Sequence, residues 1–395
     1  MTNELKIRIS IILVIISFAI IFVSILTTPS ENGHSGHSQD IVIPYEPTTI
    51  TVMDPDSDYD YDYDYDYDSD PDSISTNQIT HLTISAAGDV TLGGDERWLG
   101  YHYFMRVFEE NNRDFSYFFR NVRHIFEESD LSIVNLEGAL TYETAHLDLP
   151  FVFRAPPSFA RILTYGAVDV VTVANNHTGD FFEIGYQDTL DALRAENIAY
   201  FGNDKNTILE VNGINVGLFG FLMWSDGAEH RANIVSAIND LHERGAQLII
   251  AYHHWGIMQE NMAAQYQRDL GQFTLDRGAD LVLGSHPHVI QGIERYNGRF
   301  IVHSLADFCY GGHSHPPDHD AFIFQQTFTF VDGVLQHTED INIIPVMMSS
   351  IRAYNNFQPT IADYNDAVRI KERLRTYSGW LNSELYDEMF LLPSH

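Results

Sequence analysis

Three apolar runs that each end abruptly in polar residues constrain this chain more than any other feature. Residues 168–174 run into Asn175-Asn176-His177, residues 248–252 into His253-His254-Trp255-Gly256, and residues 279–283 into Gly284-Ser285-His286-Pro287-His288. Short runs rich in Val, Ile, Leu and Ala read as buried strands, and strands buried on both faces belong to sheets covered by helices. Two further clusters, Gly88-Asp89 and Asn135-Leu136-Glu137, interrupt apolar stretches earlier in the chain. Ligands gather at the carboxyl ends of strands in an α/β sheet. The five clusters together therefore predict one divided metal site.

The intervening sequence supports an α/β class. A strand at 81–87 precedes Gly88-Asp89, helices are expected at 158–165 and 188–195, and a strand at 198–200 follows. Residues 211–218 carry Asn212-Gly213 between apolar residues, a hairpin signal. Amphipathic stretches at 232–244 and 272–277 lead into the strands at 248–252 and 280–283. Strand and helix alternate from about residue 80 to about residue 310, with no repeat of solenoid period. In the last 50 residues, 367–377 and 383–391 read as peripheral helices on the main domain.

The first 30 residues place Lys6 and Arg8 before an uncharged apolar run at 9–26, just long enough to cross a bilayer. That run exceeds the usual h-region of a cleaved signal peptide, so a membrane anchor is expected over residues 1–30. The positive-inside rule then sets the remaining chain outside the cell, as a single-pass cell-membrane protein with an extracellular main domain. Residues 31–78, centred on an Asp-Tyr repeat, read as a self-repelling disordered linker. Ten Asp at the even positions 54–72 account for part of the net charge of −33 and leave −23 for everything else. So acidic a chain is expected to bind no nucleic acid. The one cysteine, Cys309, rules out an intramolecular disulfide and reads as a packed thiol.

Zn, Mn and Fe accept both carboxylate oxygens and imidazole nitrogens, and the clusters supply both. Asp89 and Glu137 can bring negative charge to one or two divalent metal ions, and a carboxylate between two ions can bridge them. Asn176 offers a carbonyl oxygen, and His254, His286 and His288 offer nitrogens. Strand alternation lets only one of His253 and His254 face a common site; His254, beside Trp255, is the expected one. In His286-Pro287-His288, an extended backbone would project both imidazoles to one side. Arg154, in Phe153-Arg154-Ala155-Pro156, suits either substrate contact or a surface salt bridge.

The order of these clusters resembles the metallophosphatase (calcineurin-like phosphoesterase) arrangement. The residues around them are closer still to the capsule synthesis protein CapA family, linked to poly-γ-glutamate biosynthesis. The resemblance covers residues about 82–345 and rests on Gly88-Asp89-Val90-Thr91-Leu92-Gly93, Asn135-Leu136-Glu137-Gly138, Asn175-Asn176-His177-Thr178-Gly179-Asp180, His254-Trp255-Gly256, residues 284–292 and His303-Ser304-Leu305-Ala306-Asp307-Phe308. It implies a two-sheet α/β sandwich of the metallophosphatase type over residues 79–345; residues 346–395, outside the resemblance, are expected as a helical extension packed on that domain. By position it makes Asp89, Glu137, Asn176, His254, His286 and His288 metal ligands and His177 the donor of a proton to a leaving group, oriented by Asp180. It implies a role in synthesis or export of poly-γ-glutamate or a similar anionic polymer, beside other polymer synthase subunits, with a metal-dependent hydrolase site. The alternatives are an extracellular metallophosphoesterase and a non-catalytic membrane accessory subunit. Thr91 stands where metallophosphatases carry a histidine, and Ala306-Asp307 where Gly-Asn is usual for CapA-like chains.

Overall fold

A computed structural model describes residues 78–381; the expected anchor, the Asp-Tyr linker and the helix expected at 383–391 lie outside them. Two large sheets dominate. The first is ordered β17 (Thr360–Ile361), β16 (Val334–Met347), β15 (Asp320–Val331), β1 (Ile79–Thr91), β2 (Leu131–Leu136), β5 (Val170–Thr172) and β6 (Ala199–Phe201), with β14 (Asp307–Tyr310) also paired to β1. The second is ordered β12 (Ile293–Tyr296), β13 (Arg299–Val302), β11 (Leu281–Ser285), β10 (Leu248–Trp255), β8 (Ile214–Phe219) and β7 (Thr207–Val211), with β9 (Leu222–Met223) beside β10. A two-stranded ribbon, β3 (Ala139–Leu140) and β4 (Arg154–Ala155), completes the set.

The helices are α1 (Leu99–Glu110), α2 (Arg123–Glu127), α3 (Ala160–Tyr165), α4 (Phe182–Ala195), α5 (Ala228–Glu243), α6 (Gln265–Asp276) and α7 (Tyr364–Gly379). Among the described residues none is long and apolar enough to cross a membrane. The architecture is a mixed α/β sandwich, and strand β10 shows how its pattern arises. Leu248, Ile250 and Tyr252 point into the core shared by the two sheets, while Ile249, Ala251 and Trp255 point into a second core with Ile238 and Leu241 of α5 and Leu270 and Leu275 of α6. Both faces are dry, so the strand reads as one continuous apolar run. The Tyr252 hydroxyl donates across the sandwich to the Ala87 carbonyl at 2.9 Å and ties the sheets together beside the polar clusters.

Most expected elements are present, with shifted ends. The hairpin at 211–218 is β7–β8, and both turn residues, Asn212 (φ 52°) and Gly213 (φ 80°), take the left-handed conformation that a two-residue turn requires. Strand β10 continues three residues beyond Tyr252, so His253, His254 and Trp255 are strand residues. Helix α7 packs on β16, β12 and β15, and Arg373 clamps it by a 2.5 Å ion pair with Asp318.

Candidate metal centre

All five clusters meet at strand ends between the two sheets. Asp89 is near the end of β1, where register shifts against β2 and β14 flank it. Such irregularities re-aim side chains, and here the fully buried Asp89 carboxylate points across to the second sheet, where the His286 amide donates to Oδ2 at 3.3 Å. Asn135, one strand over on β2, donates to Asp89 Oδ1 at 2.6 Å, and its own carbonyl accepts from Asn175 at 3.0 Å. A rigid amide relay thus links β1, β2 and the end of β5.

Glu137, also fully buried, follows β2. One carboxylate oxygen, Oε2, accepts from the Thr91 hydroxyl at 3.4 Å. The other, Oε1, is buried without a hydrogen-bond partner, 3.7 Å from His254 Nε2 on one side and 3.9 Å from His288 Nε2 on the other. An unpaired buried carboxylate oxygen is costly unless a cation meets it. Asp89, Glu137 and His288 each offer a ligand atom, and these atoms lie within 4.8 Å of one another. A second set adjoins it: His254 Nε2 is 2.7 Å from Asn176 Oδ1 and 3.2 Å from His286 Nδ1. The donor set of mixed oxygens and nitrogens fits Mn, Fe or Zn, and Glu137 Oε1 is the atom common to both halves.

The electrostatics agree. Burial holds the Asp89 carboxyl above its ordinary value; burial, and then the neighbouring Asp89, push Glu137 well above its own. Burial, followed by the charges of His286 and His288, drives His254 far down. His286 is lowered to about 3, by burial and then by the charges of His288 and His177. Burial also works against protonation of His288, but Asp307, Glu137 and Asp89 outweigh it and raise the ring to about 10. His254 and His286, held neutral beside the Asp89 and Glu137 carboxyls that resist ionisation, suit a site completed by a cation.

Strand alternation decides between the paired histidines as expected. His254 lies in the site, with Nδ1 held 2.9 Å from Ser285 Oγ. His253 faces the opposite way, its ring between Phe221 and Trp255 in the helix-covered core and its Nε2 3.4 Å from Thr274 Oγ1. The expectation for His286-Pro287-His288 needs correcting: these residues form bends, not extended strand, and both His286 (φ 98°) and His288 (φ 57°) take positive φ. The turn lets His286 reach His254 while His288 reaches back to Asp89 and Glu137. Pro287 cannot continue the ladder of β11, and the Asp89 carboxylate captures the His286 amide.

His177 and Asp180 stand at the edge of this centre. The His177 Nδ1 is 2.7 Å from Asp180 Oδ2, and its ring lies 4.1 Å from that of Phe153. Asp180 is fully buried and also accepts from the Phe153 amide at 2.7 Å. Arg154 is committed elsewhere: its guanidinium pairs with Glu96 and donates to the Glu143 carbonyl at 2.9 Å.

Two contributors were not assigned a role from sequence. Asp307, at the start of β14 opposite Asp89, holds His288 Nδ1 at 2.8 Å; burial raises its carboxyl to about 6 despite His288. The signal was present in Ala306-Asp307, which reads there as a departure from a pattern. Asn135 was visible inside its cluster, but nothing in spacing reveals that its amide bridges Asp89 and Asn175.

A family model described as bacterial capsule synthesis protein PGA_cap matches residues 83–311, more than half of the chain. The PGA biosynthesis protein CapA of Bacillus subtilis (strain 168) is 27% identical over 250 residues, covering 58% of this chain and 63% of that protein. The capsule biosynthesis protein CapA of Bacillus anthracis is 26% identical over 257 residues, 58% of this chain and 60% of that one. The chain thus spans about six tenths of the length of these curated relatives. A hypothetical protein from Thermus thermophilus, known from a crystal structure, aligns over 67% of this chain and 98% of its own with 17% identity and a TM-score of 0.39.

Proposed function

Since the chain belongs to the bacterial capsule synthesis protein PGA_cap family, we propose that it acts on poly-γ-glutamate outside the cell through a divalent-metal hydrolase site, anchored by residues 1–30 beside other polymer synthase subunits. The observation that carries the hydrolase part is the orphaned Glu137 Oε1 between two sets of nitrogen and oxygen donors. Asp89, Glu137 and His288 would hold one ion, and His254, His286 and Asn176 a second, with Glu137 shared. When bound, such ions supply Lewis acidity and neutralise charge developing on the substrate oxygen. The chain's own residues supply orientation and a proton. Asn135 holds the Asp89 carboxylate in place, and Asp307 holds the Nδ1 side of His288. Asp180 fixes His177 through Nδ1, so that Nε2 is the atom that delivers a proton to the departing amine.

The first test is elemental analysis of the full chain purified in detergent, followed by incubation with poly-γ-glutamate. Between one and two metals per chain and shortening of the polymer are expected. A chain that takes up no Mn, Fe or Zn overturns the hydrolase reading and favours a non-catalytic subunit; phosphate release from an aryl phosphate ester, with the polymer untouched, would replace the substrate. His177→Ala is expected to lower kcat by about 10²–10⁴-fold at unchanged metal content. Loss of metal in that variant would instead make His177 a ligand or a structural residue.

A further inference from the structure

The loop that carries His177 forms one wall of an open cleft of about 360 Å³ through Thr178 and Gly179, and the first turns of α4 form another through Phe182, Glu183 and Tyr186. Asn203, just after β6, lines it as well. That volume suits a small molecule, and among the described residues none of the expected metal ligands borders it. Phe181 is buried, but Phe182 is held 46% exposed at φ 55°, in a turn where its amide donates to the Gly179 carbonyl at 3.0 Å. A bulky side chain in the left-handed region is strained, and such strain gathers at ligand clamps. Tyr186, one turn further along α4, packs partly on the core and also lines the cleft. The polar groups are fixed in advance: the Thr178 hydroxyl and the Asn203 amide both donate to the Val173 carbonyl, the latter at 3.3 Å, and Glu183 accepts from Gln187 at 2.7 Å.

We infer that this cleft binds a neutral pyranose unit of a glycan. A pyranose has both surfaces that the walls require. Its face of C–H groups can lie against Phe182 and Tyr186, as apolar surface does on aromatic rings, while the hydroxyls on its rim donate to the Glu183 carboxylate and exchange hydrogen bonds with Thr178 and Asn203. Such a site would hold the domain on a glycan whether or not the metal centre cleaves anything.

The lining excludes the other ligand classes. Its one charged side chain is Glu183, Asp204 follows Asn203 in the chain, and the Lys205 ammonium lies 3.8 Å over the Tyr200 ring. An anion, poly-γ-glutamate included, therefore meets repulsion there. A wholly apolar ligand would take the Thr178, Glu183 and Asn203 groups out of water without new partners. A cation is poorly served, because a single exposed carboxylate already shared with Gln187 contributes little once salt screens it.

The experiment is saturation-transfer NMR on the full chain, in a detergent without a sugar headgroup, with glucose, galactose and N-acetylglucosamine as probes. Transfer to the ring C–H protons of at least one sugar is expected, and it should persist when a chelator removes metal. Gly179→Phe should abolish it at unchanged metal content, because a side chain at Gly179 meets nothing within 4 Å and fills the cleft. Phe182→Gly should weaken sugar binding about tenfold while thermal unfolding stays level or rises, since glycine accepts the positive φ without strain. Silence of all three sugars, a signal that survives Gly179→Phe or disappears with the metal, undiminished binding by Phe182→Gly, or displacement of the sugar by tetramethylammonium overturns the proposal.

Discussion

Glu137→Gln is expected to strip the purified chain of bound metal without weakening the fold. The substitution keeps the shape of the side chain and removes the charge of a carboxylate that burial and Asp89 already hold well above its ordinary value. Among the described residues its one side-chain hydrogen bond is the 3.4 Å contact from Thr91, so little native bonding is lost. Removing a buried, uncompensated charge is neutral or favourable for folding. Metal affinity is another matter, because Oε1 faces both donor sets, and loss of a shared charged ligand should cost each half of the site at least about a hundredfold, beyond the ten- to hundredfold typical of an outer-shell partner. Elemental analysis should therefore fall to near zero, while thermal unfolding in chelator stays at or above that of the wild type. Retention of metal by the variant would mean that Glu137 does not lie between two ions.

A contrast with Asp307 sharpens that reading. Asp307 reaches the site through His288 Nδ1, so it would orient that ring in the way carboxylates behind metal-bound histidines do. It also shows what a sequence conceals. The five polar clusters stand out because each breaks an apolar run, and β10 and β11 are legible because burial on both faces leaves 248–252 and 281–283 without a charged or amide residue to confuse their pattern. Period-two alternation admits only one of His253 and His254 to the site, and the choice of His254 came from its place beside Trp255. Asp307 also interrupts an apolar stretch, Leu305-Ala306 before it and Phe308-Cys309-Tyr310 after it, but its value comes from pairing with Asp89 across more than two hundred residues, which local pattern does not encode. The His286-Pro287-His288 turn was misread for a related reason: spacing gives which residues are near one another, but not the positive φ of His286 and His288, nor that the His286 amide meets the distant Asp89 carboxylate.

Gly88→Ala is expected to be the most damaging single methyl in the domain. A Cβ at Gly88 would stand 1.7 Å from the Ala306 carbonyl oxygen, 2.8 Å from its carbon and 2.9 Å from the Leu305 carbonyl carbon. All three are backbone atoms, so no side chain can swing away. The same carbonyl accepts from the Asp89 amide at 2.9 Å, which fixes β1 to the segment leading into β14. Either strand must shift, and one carries Asp89 while the other carries Asp307. Overpacking of a core costs about 1–3 kcal/mol where side chains can adjust, so a clash with backbone alone should reach about 3 kcal/mol or more. At about 2–4 °C per kcal/mol for a domain of this size, thermal unfolding should drop by about 6–12 °C, with metal binding lost at temperatures where the chain is still folded. Gly179→Ala is the matched control, since a Cβ there meets nothing within 4 Å although the position is two residues from His177; its effect should stay within about 0.5 kcal/mol. A Gly88→Ala chain that unfolds with the wild type and keeps its metal would show that β1 and β14 are not held together as closely as the 1.7 Å approach requires.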